Sequence, residues 1–199
     1  MRRYLTLANL LTLGSLTAGF LAALRVIEAD PVGAAALVAL AALLDAIDGA
    51  AARRGPGGAS EFGASLDSLA DLVSFGMVPA LALYLNLSYA MGAALQGLAF
   101  TVSLVFVVCS ALRLARFSVH SDPLYFVGLP TPVAGLALMA LPAIGAPALA
   151  ALCAGGVLCV LMVSTIRVPT LRGLAKLPGT KSGKYSSEPE ATEEEAEAL

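Results

Sequence analysis

The apolar residues of this chain come in blocks of about 20, each bounded by charges, Gly or Pro, and this pattern constrains the fold more than any other feature. A helix needs about 20 apolar residues to cross the roughly 30 Å hydrocarbon core of a bilayer. With 58% hydrophobic and 13% charged residues and no Trp, the chain is also more apolar than a soluble domain. The expectation is an all-α membrane protein. Six spans follow: Tyr4 to Leu24, Val32 to Ala52, Leu66 to Leu87, Met91 to Leu112, Val127 to Pro147 and Ala148 to Val168. The first is read as a permanent span, because it is too long for the apolar region of a signal peptide and no clear cleavage site precedes Arg25 and Glu28.

Orientation follows from Lys and Arg, which favour the cytoplasmic side of a span, whereas acidic residues contribute little. Arg2 and Arg3, Arg53 and Arg54, Arg113 and Arg116, then Arg167, Arg172, Lys176, Lys181 and Lys184 all fall in connections on one side of a six-span chain. The opposite connections contain Arg25 alone. Both termini are therefore expected in the cytoplasm. The net charge of -2 hides a basic body, since six Glu lie between Glu188 and Glu197. The predicted organisation is a six-helix membrane domain over 1–176 and a disordered acidic cytoplasmic tail over 177–199. Cys109, Cys153 and Cys159 lack metal-type spacing and read as small core residues, and His120 reads as a loop residue. No nucleic-acid partner is expected.

Against this apolar background, four acids flank one Gly-rich connection. Asp45 and Asp48 lie three apart near the end of the second span, and Asp67 and Asp71 lie four apart at the start of the third. Helical spacing places each pair on one face, so two helices can present four carboxylates to one another. Caps and loop charges are the bland reading, but ionisable residues at membrane depth usually mark a functional site. Close carboxylates repel unless a cation lies between them. Oxygen-only ligands favour Mg²⁺ or Mn²⁺, with Ca²⁺ also admissible, over Zn²⁺. Two such cations could clamp a pyrophosphate during in-line displacement. Gly49, Ala52 and Gly63 leave room for a nucleotide near the backbone, and Arg53 can offer a planar fork to phosphate.

These residues spell Asp45-Ala-Ile-Asp48-Gly49-Ala-Ala-Ala52-Arg53, nine residues, then Gly63-Ala-Ser-Leu-Asp67-Ser-Leu-Ala-Asp71. The pattern resembles the signature of the CDP-alcohol phosphatidyltransferases at all eight positions. The resemblance covers roughly 5–172 and implies a six-helix membrane fold, usually a homodimer. It implies Asp45, Asp48 and Asp67 as metal ligands, and Asp71 as both ligand and general base. It also implies that Asp45, Gly49, Ala52, Arg53, Gly63 and Asp67 surround the CDP group of a CDP-diacylglycerol donor. Ser15 stands where the family often has Asn, and Asn9 gives a second alignment.

The flanking segments look like the branch of the family that uses L-serine: Ser74-Phe75-Gly76 before Pro79, Arg113-Leu-Ala-Arg116-Phe, Gly128-Leu-Pro130-Thr131-Pro132, and Leu161-Met-Val-Ser164 before Arg167. Arg113 and Arg116, one turn apart, read either as partners of an acceptor carboxylate or lipid phosphate or as inside-positive anchors. Glycerol 3-phosphate or an inositol phosphate as acceptor, or an ether-lipid donor, are the alternatives within the family. An ion-coupled transporter is the alternative outside it, and it would want polar residues along a route through the membrane. Here the outer halves of the spans are almost wholly apolar.

Overall fold

The structure, a computed structural model, describes residues 6–54, 60–91, 96–119, 125–164 and 167–169. Six helical rods fill it. They are α1 (Leu7–Ile27), α2 (Pro31–Arg54), a long rod made of α3 (Glu61–Asp71), a π-helical segment (Leu72–Met77) and α4 (Val78–Met91), then α5 (Gln96–Val119), α6 (Thr131–Ala143) and α7 (Ala148–Val163). The expected all-α membrane architecture is what forms. Four rods are long and apolar enough to cross a bilayer by themselves, and α6 and α7 are shorter apolar helices.

Local chemistry sets the helix boundaries. Thr6 caps α1 by accepting from the Asn9 backbone N–H at 3.2 Å. Ala29 takes a left-handed φ of 58° in the turn to α2, where Asp30 accepts from Gly33 N–H and Pro31 occupies the first helical position. Ser60 caps α3 through Gly63 N–H at 3.0 Å. This cap starts the third rod at Glu61, five residues before the expected span, and so puts Asp67 and Asp71 well inside a helix.

The fifth and sixth spans differ more from expectation. Gly128 has φ +75° and Pro130 follows, so α6 cannot begin before Thr131, and Gly145 at φ +69° turns the chain after it. Val127, Arg167 and Val168, expected at the ends of these two spans, join a small ribbon instead. Tyr125–Val127 (β1) pairs antiparallel with Arg167–Pro169 (β2), in the register Tyr125 to Pro169 and Val127 to Arg167. At 1.5 Å per residue, the 13 residues of α6 and 16 of α7 reach only about 20 and 24 Å.

α4 is the spine of the bundle. On one side Val78 and Ala82 pack with Ala18, Ala22 and Val26 of α1, Ala34, Val38 and Ala41 of α2, and Met139. On the other, Ala80, Leu83 and Leu87 pack with Phe106 of α5, Leu138 of α6 and Ala151 and Cys159 of α7. The small residues between α1 and α2 let the two backbones approach closely, which is how membrane helices associate without a hydrophobic drive between them. Phe20, Leu43, Phe100, Leu104, Val157 and Val160 face outward, as lipid-facing residues should.

Candidate active site

The α2 and α3 segments bring their acids together at one end of the bundle. Carboxylate oxygens of Asp45, Asp67 and Asp71 lie within 4.8 Å of one another. Asp71 ends α3 and is only 8% exposed, and its Oδ1 is buried with no hydrogen-bond partner. Asp45 makes side-chain contact with both Asp67 and Asp71. Three carboxylates this close are stable only with a proton or a cation among them, and a buried oxygen lacking a partner is what a missing ligand leaves behind. The residues therefore fit a divalent cation of the hard, oxygen-seeking class.

Asp48 stands apart from that trio. It is 4% exposed, and Thr12 of α1 donates its hydroxyl to Asp48 Oδ2 at 2.6 Å. The first helix thus reaches into the acid centre, which was not foreseen. A signal was present in the sequence: Asn9, Thr12 and Ser15 recur every third residue in a largely apolar span, and all three are buried. Ser15 donates to the Ala41 carbonyl at 3.0 Å and so ties α1 to α2. Asn9 lies beside the start of α3, where a Cβ added to Gly63 would come within 3.0 Å of its Oδ1. Gly63 thus admits α1 close to α3.

Gly49 and Ala52 are half-buried on α2, in the turn after Asp48. Arg53 lies in the last turn of that helix, with its side chain outside the described residues, as are the 55–59 connection, His120 and the acidic tail. The two candidate acceptor residues separate. Arg116 is exposed, whereas Arg113 is partly buried, donates from Nη1 to Thr131 Oγ1 at 3.0 Å and interacts electrostatically with Asp71. Its Nε is buried without a partner, and Thr131 is wholly buried. Cys109 is half-buried, Cys159 buried and Cys153 exposed.

A sequence model of the CDP-alcohol phosphatidyltransferase family matches residues 5–171. The chain belongs to that family. Relatives of the chain include proteins named CDP-diacylglycerol–serine O-phosphatidyltransferase in three organisms. The Methanocaldococcus jannaschii protein is 36% identical over 139 residues, covering 70% of this chain and 61% of its own length. The Mycobacterium tuberculosis protein is 38% identical over 148 residues, covering 69% and 49%. The Bacillus subtilis protein is 34% identical over 178 residues, covering 89% and 97%. The chain thus spans about half to three fifths of the first two relatives and nearly all of the third.

Proposed function

We propose that this phosphatidyltransferase moves the phosphatidyl group of CDP-diacylglycerol onto L-serine, giving phosphatidylserine and CMP. The observation that carries the reading is the trio of Asp45, Asp67 and Asp71 oxygens within 4.8 Å, together with the buried, unpartnered Asp71 Oδ1. The serine named in the three relatives supports the acceptor.

Asp45, Asp48, Asp67 and Asp71 would hold two divalent cations, Mg²⁺ or Mn²⁺. Once bound, these neutralise the pyrophosphate and stabilise the charge that develops on the departing phosphate. The protein's own part is positioning, orientation and one proton transfer. Gly49, Ala52, Arg53 and Gly63 border the space for the CDP group. The serine hydroxyl oxygen forms a bond to the β-phosphorus while the bond from that phosphorus to the bridging oxygen breaks, and CMP leaves with the electron pair. Asp71 Oδ1, free of other partners, takes the hydroxyl proton. Transfer of this kind is mostly positioning and electrostatics, so no covalent intermediate is required.

Arg113 is the better of the two arginines for holding the serine carboxylate or the lipid phosphate. Its guanidinium is aimed by Thr131, and its unpaired Nε retains a donor. The distribution of Lys and Arg supports a cytoplasmic position for this end of the bundle and for both termini. A homodimer is the assembly implied by the family, and the 1–176 domain is the catalytic unit.

The test is CMP release from CDP-diacylglycerol by the purified full chain with Mn²⁺ or Mg²⁺, comparing L-serine, glycerol 3-phosphate and no acceptor. Serine-dependent release that is lost in Asp71→Asn supports acceptor and base together. Release with another alcohol alone keeps the chemistry and overturns the acceptor.

A further inference from the structure

The chain widens immediately after Asp71, and three helices close on the wide turn. In Leu72–Met77 the backbone N–H of Val78 reaches back five residues to the Val73 carbonyl, so the turn holds one residue more than an α turn. Such turns are frequent at functional sites. The extra residue re-phases the rod by about 100°, which lets Asp67 and Asp71 face α2 while Leu83 and Leu87 of α4 still face the core.

Ser74, Phe75 and Gly76 within the turn are buried, and their neighbours have no side chain to spare. A Cβ on Gly19 of α1 would lie 2.9 Å from Ser74 Cβ and 3.0 Å from Ser74 Cα. A Cβ on Gly135 of α6 would lie 2.6 Å from the Phe75 carbonyl oxygen and 2.8 Å from Phe75 Cα. Gly76 faces Ser110 of α5, whose Cβ would be 3.2 Å from an added methyl. Ser74 also donates to the Ser15 carbonyl of α1 at 3.3 Å. Asp71 Oδ1, by contrast, has no hydrogen-bond partner, and the side-chain contact its carboxylate makes with Asp45 is to another acid of the cluster. Apart from that contact, its place among the acids is set by the backbone that carries it.

We propose that Gly19 and Gly135 are positioning residues, letting α1 and α6 seat the wide turn so that the Asp71 carboxylate stays in the acid cluster. This rests on the reading of the cluster as the metal-assisted transfer site. The residues touch no substrate and act through Asp71. A residue that only stabilised the bundle would change its melting temperature and leave cation affinity alone, whereas a positioning residue changes the affinity itself.

The test is direct Mn²⁺ titration of the purified full chain, following free Mn²⁺ by electron paramagnetic resonance, beside CMP release. Gly19→Ala is expected to weaken Mn²⁺ binding about tenfold or more, as loss of groups that orient ligands typically does, and to lower kcat with it. Adding Ser74→Gly removes the Ser74 Cβ and Oγ that the new methyl would strike, leaving only the Cα at 3.0 Å, and is expected to recover most of the lost affinity. Unchanged Mn²⁺ affinity in Gly19→Ala, or a loss that Ser74→Gly does not repair, would overturn the proposal. Should Gly19→Ala not fold, Gly76→Ala is milder, since its methyl meets the tip of Leu72 at 3.1 Å as well as Ser110. It should weaken binding in the same direction, and wild-type affinity there also overturns the proposal. Failure of the underlying reading looks different, for then the wild-type protein itself neither binds Mn²⁺ nor releases CMP.

Discussion

Replacing Thr12 by Val swaps a hydroxyl for a methyl at nearly constant shape and nearly constant helix propensity, so it isolates one hydrogen bond. That hydroxyl has a single proton and two oxygens in reach, Asp48 Oδ2 at 2.6 Å and the Ala8 carbonyl at 3.1 Å. The shorter contact, to a carboxylate, is the stronger one. A hydrogen bond to a charged group contributes about 1.5–3 kcal/mol, and Asp48 is too buried for water to replace it cheaply. If the bond orients Asp48 for catalysis, that energy appears in the barrier, and at about 1.36 kcal/mol per decade it corresponds to a loss of roughly 10- to 150-fold in kcat/KM. The assay is CMP release at saturating Mn²⁺ from detergent-purified wild type, Thr12→Val and Thr12→Ser, with Ser keeping the hydroxyl and recovering most of the rate. If Thr12→Val stays within twofold of wild type while melting several degrees lower, the bond serves the fold alone and the reasoning is wrong.

Arg113→Lys, which keeps the charge but loses the planar fork, should raise KM for serine about tenfold, whereas Arg116→Lys at its exposed position should change it little; steady-state kinetics with serine varied will separate the two. Chelation with EDTA should abolish CMP release, and Mn²⁺ or Mg²⁺ should restore it where Zn²⁺ does not, because the cluster offers only oxygen. Gly128→Ala should destabilise the protein by about 1–3 kcal/mol, since an L side chain is strained at that positive φ and would lie 2.6 Å from the Met162 carbonyl. A lower melting temperature in detergent is the readout, and an unchanged one would contradict the assigned backbone.

The number of spans and the acid pairs were legible because each depends on neighbours in sequence: block length gives the spans, and helical spacing gives the pairs. Helical spacing, however, describes a face only coarsely. Three residues advance a helix by about 300°, which leaves Asp45 and Asp48 about 60° apart. That angle is enough for Asp45 to meet α3 while Asp48 turns to Thr12, 36 positions earlier in the chain. Asp67 and Asp71, four apart and about 40° out of line, both stay with Asp45. The wide turn was illegible because Leu72–Met77 is as apolar as any span, and a hydrogen bond that closes one residue later leaves no mark on composition. The ribbon was hidden for a related reason. Tyr-Phe-Val and Arg-Val-Pro extend apolar blocks, and only the pairing of segments some forty residues apart shows them to be strands.

The order in which the parts of the site emerge has a consequence for biogenesis. Thr12, Asp45, Asp48, Asp67 and Asp71 all lie within the first three rods, which also share the core of Ala22, Val38 and Val78. Arg113 and Thr131, the basic flank of the site, belong to α5 and α6. A ribosome therefore delivers a complete acidic half before the cationic residue that faces it has entered the membrane. During that interval the carboxylates have one another and the Thr12 hydroxyl, without the guanidinium of α5. A cation that balances these acids would therefore be needed in the same stretch of synthesis that inserts the first three rods.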